Sequence, residues 1–290
     1  MNEKLCVTSG YLYTDIDVLA SVLAAAELKN CIAWLPGEFN ATVPKSIRNL
    51  KLNFTKEFPK QAEEFVVVDF SNYKLFSPEI PLDKVIKVYD HHHGFEEHWG
   101  DKGQIEFIGA CATMIYELFG DKKPSTTVVN LLYIAIYTHT LGFNVAIPTE
   151  RDRAAFEKLK PFINLPENWI EQYYSEVEQD MLYDLGRAIK SDMKVLGGWG
   201  VGQLELYDAR ALINSKTFFP VLSASMREGG YKKWLLTMPS IKEGKNYLVS
   251  NSQEIKNFMS AKFGAKWKND FGETKNLFLR KEIQKVMNTK

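Results

Sequence analysis

The chain has 290 residues, 45% hydrophobic and 25% charged, which fits one large or two ordinary globular domains and excludes a disordered, collagen-like or disulfide-stapled chain. Lys plus Arg and Asp plus Glu each number 36, so the formal net charge is zero, and a nucleic-acid binder held by bulk positive charge is not expected, although a local basic pocket is allowed. The longest apolar run, Leu19–Leu28, is too short for a bilayer, no leader pattern opens the chain, and Cys6, Cys31 and Cys111 form neither a disulfide nor a metal pattern; the expectation is a cytoplasmic protein with no membrane association.

Leu5–Ser9 predicts a short buried strand ending at Gly10. Asp15–Leu28 has helical spacing, with Thr14 as its N-cap and Asp17 three residues on. Cys31–Leu35 predicts a second strand, closed by Pro36-Gly37. Glu64–Phe70 predicts a third, and its unbroken Val run suits a strand covered on both faces. Lys84–Tyr89 predicts a fourth, and Ala110–Phe119 and Thr127–Thr138 read as buried helices. Thr149-Glu150-Arg151-Asp152 reads as the cap of a following helix. This alternation predicts an α/β fold whose N-terminal part is a mostly parallel sheet flanked by helices.

The character changes near 185–192. Glu171–Ile189 reads as a charged helix, and Gly197-Gly198-Trp199-Gly200 as a turn between strands. Trp234–Met238, Tyr247–Val249 and Leu277–Leu279 are strand candidates, and Lys262, Lys266 and Lys268 read as a solvated helix face. Two domains are expected: residues 1–188, and a smaller α/β domain of residues 189–290, with an active-site cleft between them and a hinge at the linker.

Asp15 and Asp17 follow the first strand, Asp69 ends the Val-rich strand, and Asp90-His91-His92-His93 follows the next. In an open parallel sheet, strand C-termini share the edge where ligands bind. Carboxylates gathered there repel one another and call for cations. Mixed with imidazole, they suit Mn²⁺, Fe²⁺, Co²⁺ or Zn²⁺ better than Ca²⁺. Four of the five histidines lie between His91 and His98, and the fifth, His139, follows an apolar helix. Taken singly, Asp15 and Asp17 would equally serve a helix dipole, Asp69 a turn and His139 a packed position. Trp99 and Phe95 read as packing beside the cluster.

The motifs Gly10–Ser21, Asp69 after three valines, Asp90-His91-His92 and Gly109–Thr113 occur in the order of the DHH phosphoesterase superfamily, which the chain resembles. Ala135–Asp152 resembles that superfamily's fourth motif. Asp192-Met193-Lys194, Val201-Gly202-Gln203 and Leu279-Arg280-Lys281-Glu282 resemble the second type of accessory domain (DHHA2-like), found in family II inorganic pyrophosphatases and the exopolyphosphatase/prune branch. The resemblance implies two divalent ions, Mn²⁺ first and Co²⁺ or Mg²⁺ as variants, on Asp15, Asp17, Asp69, His91 and His139, with Asp69 bridging. It implies that His92, Lys194, Arg280 and Lys281 contact phosphate, and that Asp90 orients the histidines. Tyr11 stands where family II pyrophosphatases carry His, His139 where the fourth motif usually offers Asp, and Glu282 where another Lys is common.

The implied function is hydrolysis of the phosphoanhydride bonds of pyrophosphate or short polyphosphate by a water activated between two metals, with Asp69, His92 and Asp90 at the reacting centre. A homodimer is allowed. Two other readings remain open: a DHH-type phosphodiesterase acting on short oligonucleotides or nucleotide phosphates, and a catalytically degenerate phosphate- or nucleotide-binding module.

Overall fold

The computed structural model describes residues 2–10, 13–144 and 149–288. Contacts gather the chain into two units, one running to Phe143 and on to Glu167, the other taking up Asn168 onward.

The first unit is built on strands β1 (Asn2–Thr8), β2 (Cys31–Trp34), β3 (Glu64–Val68), β4 (Val85–Asp90) and β5 (Gly103–Ile105). Their order is β2-β1-β3-β4-β5, and every pair is parallel. The Val run behaves as its composition predicts: Val66, Val67 and Val68 are completely buried. Side chains alternate across a strand, so Phe65 and Val67 join the cluster of Trp34, Val85, Val88 and Trp99 while their neighbours face away from it. Helix α1 (Ile16–Lys29) is buried at every residue from Ile16 to Ala26 and packs on α2 (Cys111–Glu117) and α3 (Thr126–His139), which explains why its sequence is apolar on all sides. Helix α4 (Glu150–Leu159) begins with the expected capping box between Thr149 and Asp152.

The chain turns back from β2, past β1, to β3. That reversal places a topological switch between the C-terminal ends of β1 and β3, where open α/β sheets bind ligands.

The N-cap of α1 is Asp15 rather than Thr14. Thr14 belongs to a two-residue strand pairing with Glu38–Phe39, and its hydroxyl donates to the Gly37 carbonyl at 3.3 Å. Asp15 is therefore the first side chain able to cap, and its Oδ1 accepts from the Val18 N–H at 2.9 Å.

In the second unit the charged stretch forms two helices, α5 (Trp169–Tyr183) and α6 (Leu185–Asp192). The break falls at Asp184, whose carboxylate caps α6 by accepting from the Arg187 N–H at 2.9 Å. After these come β6 (Lys194–Leu196), β7 (Trp199–Gln203), a short helix Ala209–Ile213, α7 (Phe218–Glu228), β8 (Trp234–Ser240), β9 (Lys245–Ser250), α8 (Gln253–Phe263), β10 (Lys266–Lys268), β11 (Phe271–Glu273) and α9 (Arg280–Asn288). The sheet runs β10-β11-β9-β8-β7-β6, with β7 and β8 parallel and the other pairs antiparallel. Gly197 and Gly198, at φ +54° and +86°, turn β6 into β7 as the glycine run predicts.

Two sequence expectations are corrected here. Leu277–Leu279 is not a strand: the buried Asn246 side chain takes the place of a pairing strand, donating to the Phe278 carbonyl at 2.8 Å and accepting from the Phe278 N–H at 3.1 Å. Lys266 and Lys268 lie on the edge strand β10 rather than on a helix face, where exposed lysines discourage further strand pairing.

Candidate metal centre

The acidic and imidazole side chains gather at the C-terminal rim of the first sheet, held there by backbone geometry. Asp69 follows β3 directly at φ +58°, a left-handed conformation that Asp tolerates better than a β-branched residue, and its N–H is fixed by the Tyr89 carbonyl at 2.7 Å. Asp17 lies in the first turn of α1 and is completely buried. Its two carboxylate oxygens accept from the N–H groups of Cys111 and Ala112, both at 2.8 Å, at the start of α2. Ser21, one turn along α1, donates to the same carboxylate at 3.4 Å.

His91 joins these acids. Its Nε2 lies 3.1 Å from Asp69 Oδ1 and 3.8 Å from Asp17 Oδ2. On the other side of the ring, Nδ1 is 3.2 Å from the Ile108 carbonyl. A carbonyl only accepts, so Nδ1 carries a proton, and Nε2 faces two carboxylate oxygens. His139, the last residue of α3, brings Nδ1 to 3.5 Å from Asp17 Oδ2. Carboxylate oxygens and ring nitrogens converging this closely call for positive charge among them, and their donor chemistry fits a divalent ion.

Burial pushes the Asp17 carboxyl above its ordinary range; His139 and the two α2 N–H groups oppose that rise, while the Asp15 charge adds to it. A bound cation would relieve this burial penalty. The donor atoms fall into two sets, each within 4.8 Å: Asp17, His91 and His139, and Asp69, Asp90, His91 and His92.

Within the second set Asp90 is already committed. Its Oδ1 accepts from the N–H groups of His91 at 2.7 Å and His92 at 3.0 Å, and from His92 Nδ1 at 2.8 Å. Burial pushes its carboxyl up, but the His92 charge and hydrogen bond, with help from Ser71 and the His92 backbone, outweigh burial and hold it below the usual value. Asp90 thus orients the histidine pair. Cys111 lies completely buried beside these acids. Burial, then the charges of Asp69, Asp17 and Asp90, push its thiol well above the usual value, so it stays a neutral packing group.

Sequence clustering of histidines is a poor guide to which ones converge. His93 bonds Glu96 at 2.6 Å and His98 stacks on Tyr73 with ring centroids 3.6 Å apart, whereas the isolated His139 joins the centre. Asp15 spends one oxygen on capping α1 and belongs to neither donor set among the described residues. Tyr11 lies outside the described residues. Trp99 is a core residue whose indole donates to the Ser71 carbonyl at 2.7 Å.

No family profile matches the chain. It is 22% identical over 273 residues to a probable manganese-dependent inorganic pyrophosphatase of Clostridium acetobutylicum, covering 83% of this chain and 84% of the relative. It is 23% identical over 273 residues to a manganese-dependent inorganic pyrophosphatase of Methanocaldococcus jannaschii, covering 85% and 87%. The chain resembles the family II pyrophosphatases along most of its length. In fold it matches a crystal structure assigned to that family from Methanococcus jannaschii, with a TM-score of 0.73, 21% identity and 96% of each chain covered. An exopolyphosphatase-related protein of Bacteroides fragilis follows at a TM-score of 0.51, 15% identity, and 98% and 90% coverage.

The accessory motifs of this pyrophosphatase-like chain meet within the second unit. Gln203 accepts from the Arg280 N–H at 2.5 Å, and the Gln203 N–H donates to Asp192 at 2.6 Å. The Arg280 guanidinium is paired with the Asp192 carboxylate. Sequence reasoning placed Arg280 among the phosphate contacts and missed its partner, because the two are far apart in the chain. Lys194 is exposed at the start of β6, and Lys281 is half-buried in the first turn of α9.

Proposed function

We propose that this chain hydrolyses phosphoanhydride bonds, with pyrophosphate as its first substrate and short polyphosphate as its second, using a pair of divalent ions. The observation that carries this reading is the meeting of Asp17, Asp69, His91 and His139, with His91 Nε2 facing both carboxylates and His139 facing Asp17. The names of the curated relatives support Mn²⁺ as the ion and pyrophosphate as the substrate.

Asp17, Asp69, His91 and His139 would hold the ions, the role that the resemblance gives also to Asp15. Bound there, divalent ions supply Lewis acidity and bring the pKa of a coordinated water toward neutrality. The chain's own work is positioning. Two α2 N–H groups fix Asp17, the Ile108 carbonyl fixes the His91 tautomer, and Asp90 occupies His92 Nδ1 so that Nε2 is the atom left for a phosphate oxygen. Lys194, Arg280 and Lys281 would neutralise the substrate's charge; Arg280 enters that task already oriented by Asp192.

The test is phosphate release by the Mn²⁺-loaded protein, with a two-nucleotide RNA as the competing substrate. Pyrophosphate turnover abolished by Asp69→Asn is the expected result. Turnover of the dinucleotide alone would transfer the site to the phosphodiesterase reading, and uptake of no metal would transfer it to the binding module.

A further inference from the structure

We propose that Asp152 is a positioning residue of the metal centre: its buried carboxylate staples the Ile108–Thr113 segment so that this segment presents the Ile108 carbonyl to His91 and N–H groups to Asp17. The inference rests on the metal-centre reading above, and it concerns a residue that the sequence reads as part of a helix cap and as the last residue of the stretch resembling the fourth motif, with no role at the site assigned to it.

Asp152 is completely buried. Part of its hydrogen bonding is the capping box of α4, in which it accepts from the Thr149 N–H at 2.7 Å and the Thr149 hydroxyl at 3.0 Å. A cap needs no more than that. Three further donors come from the start of α2, some forty residues earlier: the N–H of Gly109 at 2.9 Å, the N–H of Ala110 at 3.3 Å and the hydroxyl of Thr113 at 2.6 Å.

The consequence lies in the order of the donors. Four successive backbone N–H groups, from Gly109 to Ala112, are divided between two buried carboxylates. The first two serve Asp152 and the next two serve Asp17. The residue immediately before them, Ile108, provides the carbonyl facing His91 Nδ1. Asp152 therefore sets the loop's position, and the loop sets Asp17 and His91. Hydrogen bonds weaken steeply with stretch and misalignment, so a loop held at one end by Asp152 cannot drift without loosening both ligands.

Gly109 makes the close approach feasible. A Cβ there would lie 2.9 Å from Asp152 Oδ2 and 2.7 Å from Thr140 Cγ2, so a side chain would displace the carboxylate.

The experiment separates the two arms of Asp152. Thr113→Val removes a loop donor with almost no change of shape; Thr149→Val removes a hydroxyl from the cap; Asp152→Asn turns an amide NH₂ toward N–H donors. Three quantities are read: Mn²⁺ affinity by titration calorimetry, Tm by circular dichroism, and amide hydrogen exchange of Cys111 and Ala112 in the metal-free protein. Asp152→Asn and Thr113→Val should each weaken Mn²⁺ binding about tenfold or more and speed exchange at Cys111 and Ala112 while the protein stays folded. Thr149→Val should lower Tm and leave affinity and exchange as in the unaltered chain. Unchanged affinity and exchange in Thr113→Val would overturn the proposal, as would a Thr149→Val variant that loses both to the same extent. If Asp152→Asn does not fold, Thr113→Val decides. If the unaltered chain binds no Mn²⁺, the metal-centre reading falls, and exchange at Cys111 and Ala112 still decides whether Asp152 holds the loop.

Discussion

Replacing Asp90 with Asn removes a negative charge from a completely buried carboxyl while keeping its size. One oxygen of that group accepts three hydrogen bonds, from the His91 and His92 N–H groups and from His92 Nδ1. An amide oxygen can still accept them, but each falls from a charge-assisted bond to a neutral one, a loss of about 1 kcal/mol apiece. The three share one oxygen and do not add fully, so the expected cost at pH 7 is roughly 2–3 kcal/mol.

The pH dependence has a definite sign. The folded-state pKa of Asp90 is depressed, so its contribution is present above the unfolded-state value, about 3.9, and is lost as pH falls through the folded value. The stability gap between the unaltered chain and Asp90→Asn should therefore be fully developed at pH 5. It should narrow by up to about 0.7 kcal/mol at pH 3.5, where the unfolded carboxyl is mostly protonated. Urea denaturation at the three pH values, without metal, measures the gap. A gap below about 0.5 kcal/mol at pH 7, or one that widens at pH 3.5, would refute the assignment of Asp90 as the charged anchor of the histidine pair. The freed His92 ring should also raise the KM for pyrophosphate.

The other expectations concern metal, substrate and core. His139→Asp exchanges an imidazole for a carboxylate facing the cation, so competition titrations should find Mn²⁺ and Mg²⁺ binding strengthened relative to Zn²⁺. Saturating Mn²⁺ at about a hundred times its Kd should stabilise the chain by about 2.7 kcal/mol for each ion bound, and a chelator should reverse the rise in Tm. Arg280→Ala should raise the KM for pyrophosphate more than it lowers kcat in steady-state assays, and Asp192→Ala should do the same by releasing the guanidinium. Phe65→Ala, in a completely buried position on β3, should cost about 3–5 kcal/mol in denaturant titrations without changing the number of ions bound.

Much of the centre was legible because strand ends are legible. An unbroken Val run marks a central parallel strand, and an acid just beyond it stands on the rim where parallel strands point their C-termini. That logic reached Asp69 and His91, one step past β3 and β4, Asp90 at the end of β4, and Asp17 at the start of the helix that follows β1. It misjudged the N-cap of α1, because the pairing of Thr14 with the Glu38–Phe39 strand has no local signature. It misread Leu277–Leu279, because the hydrogen bonds that a strand would need are supplied there by one side-chain amide, Asn246.

What the sequence determined by itself was the alternation of buried strands and apolar helices, and with it the rim on which the acids stand, since period and burial are properties of neighbouring residues. What only the tertiary structure decided was which distant groups close on that rim. His139 entered it and His93 did not, Arg280 found Asp192, and one loop divided its N–H groups between Asp17 and Asp152. Those pairings depend on where helices end once they have packed, and the energy that selects them comes from burying charge with a partner across the fold, which no local pattern records.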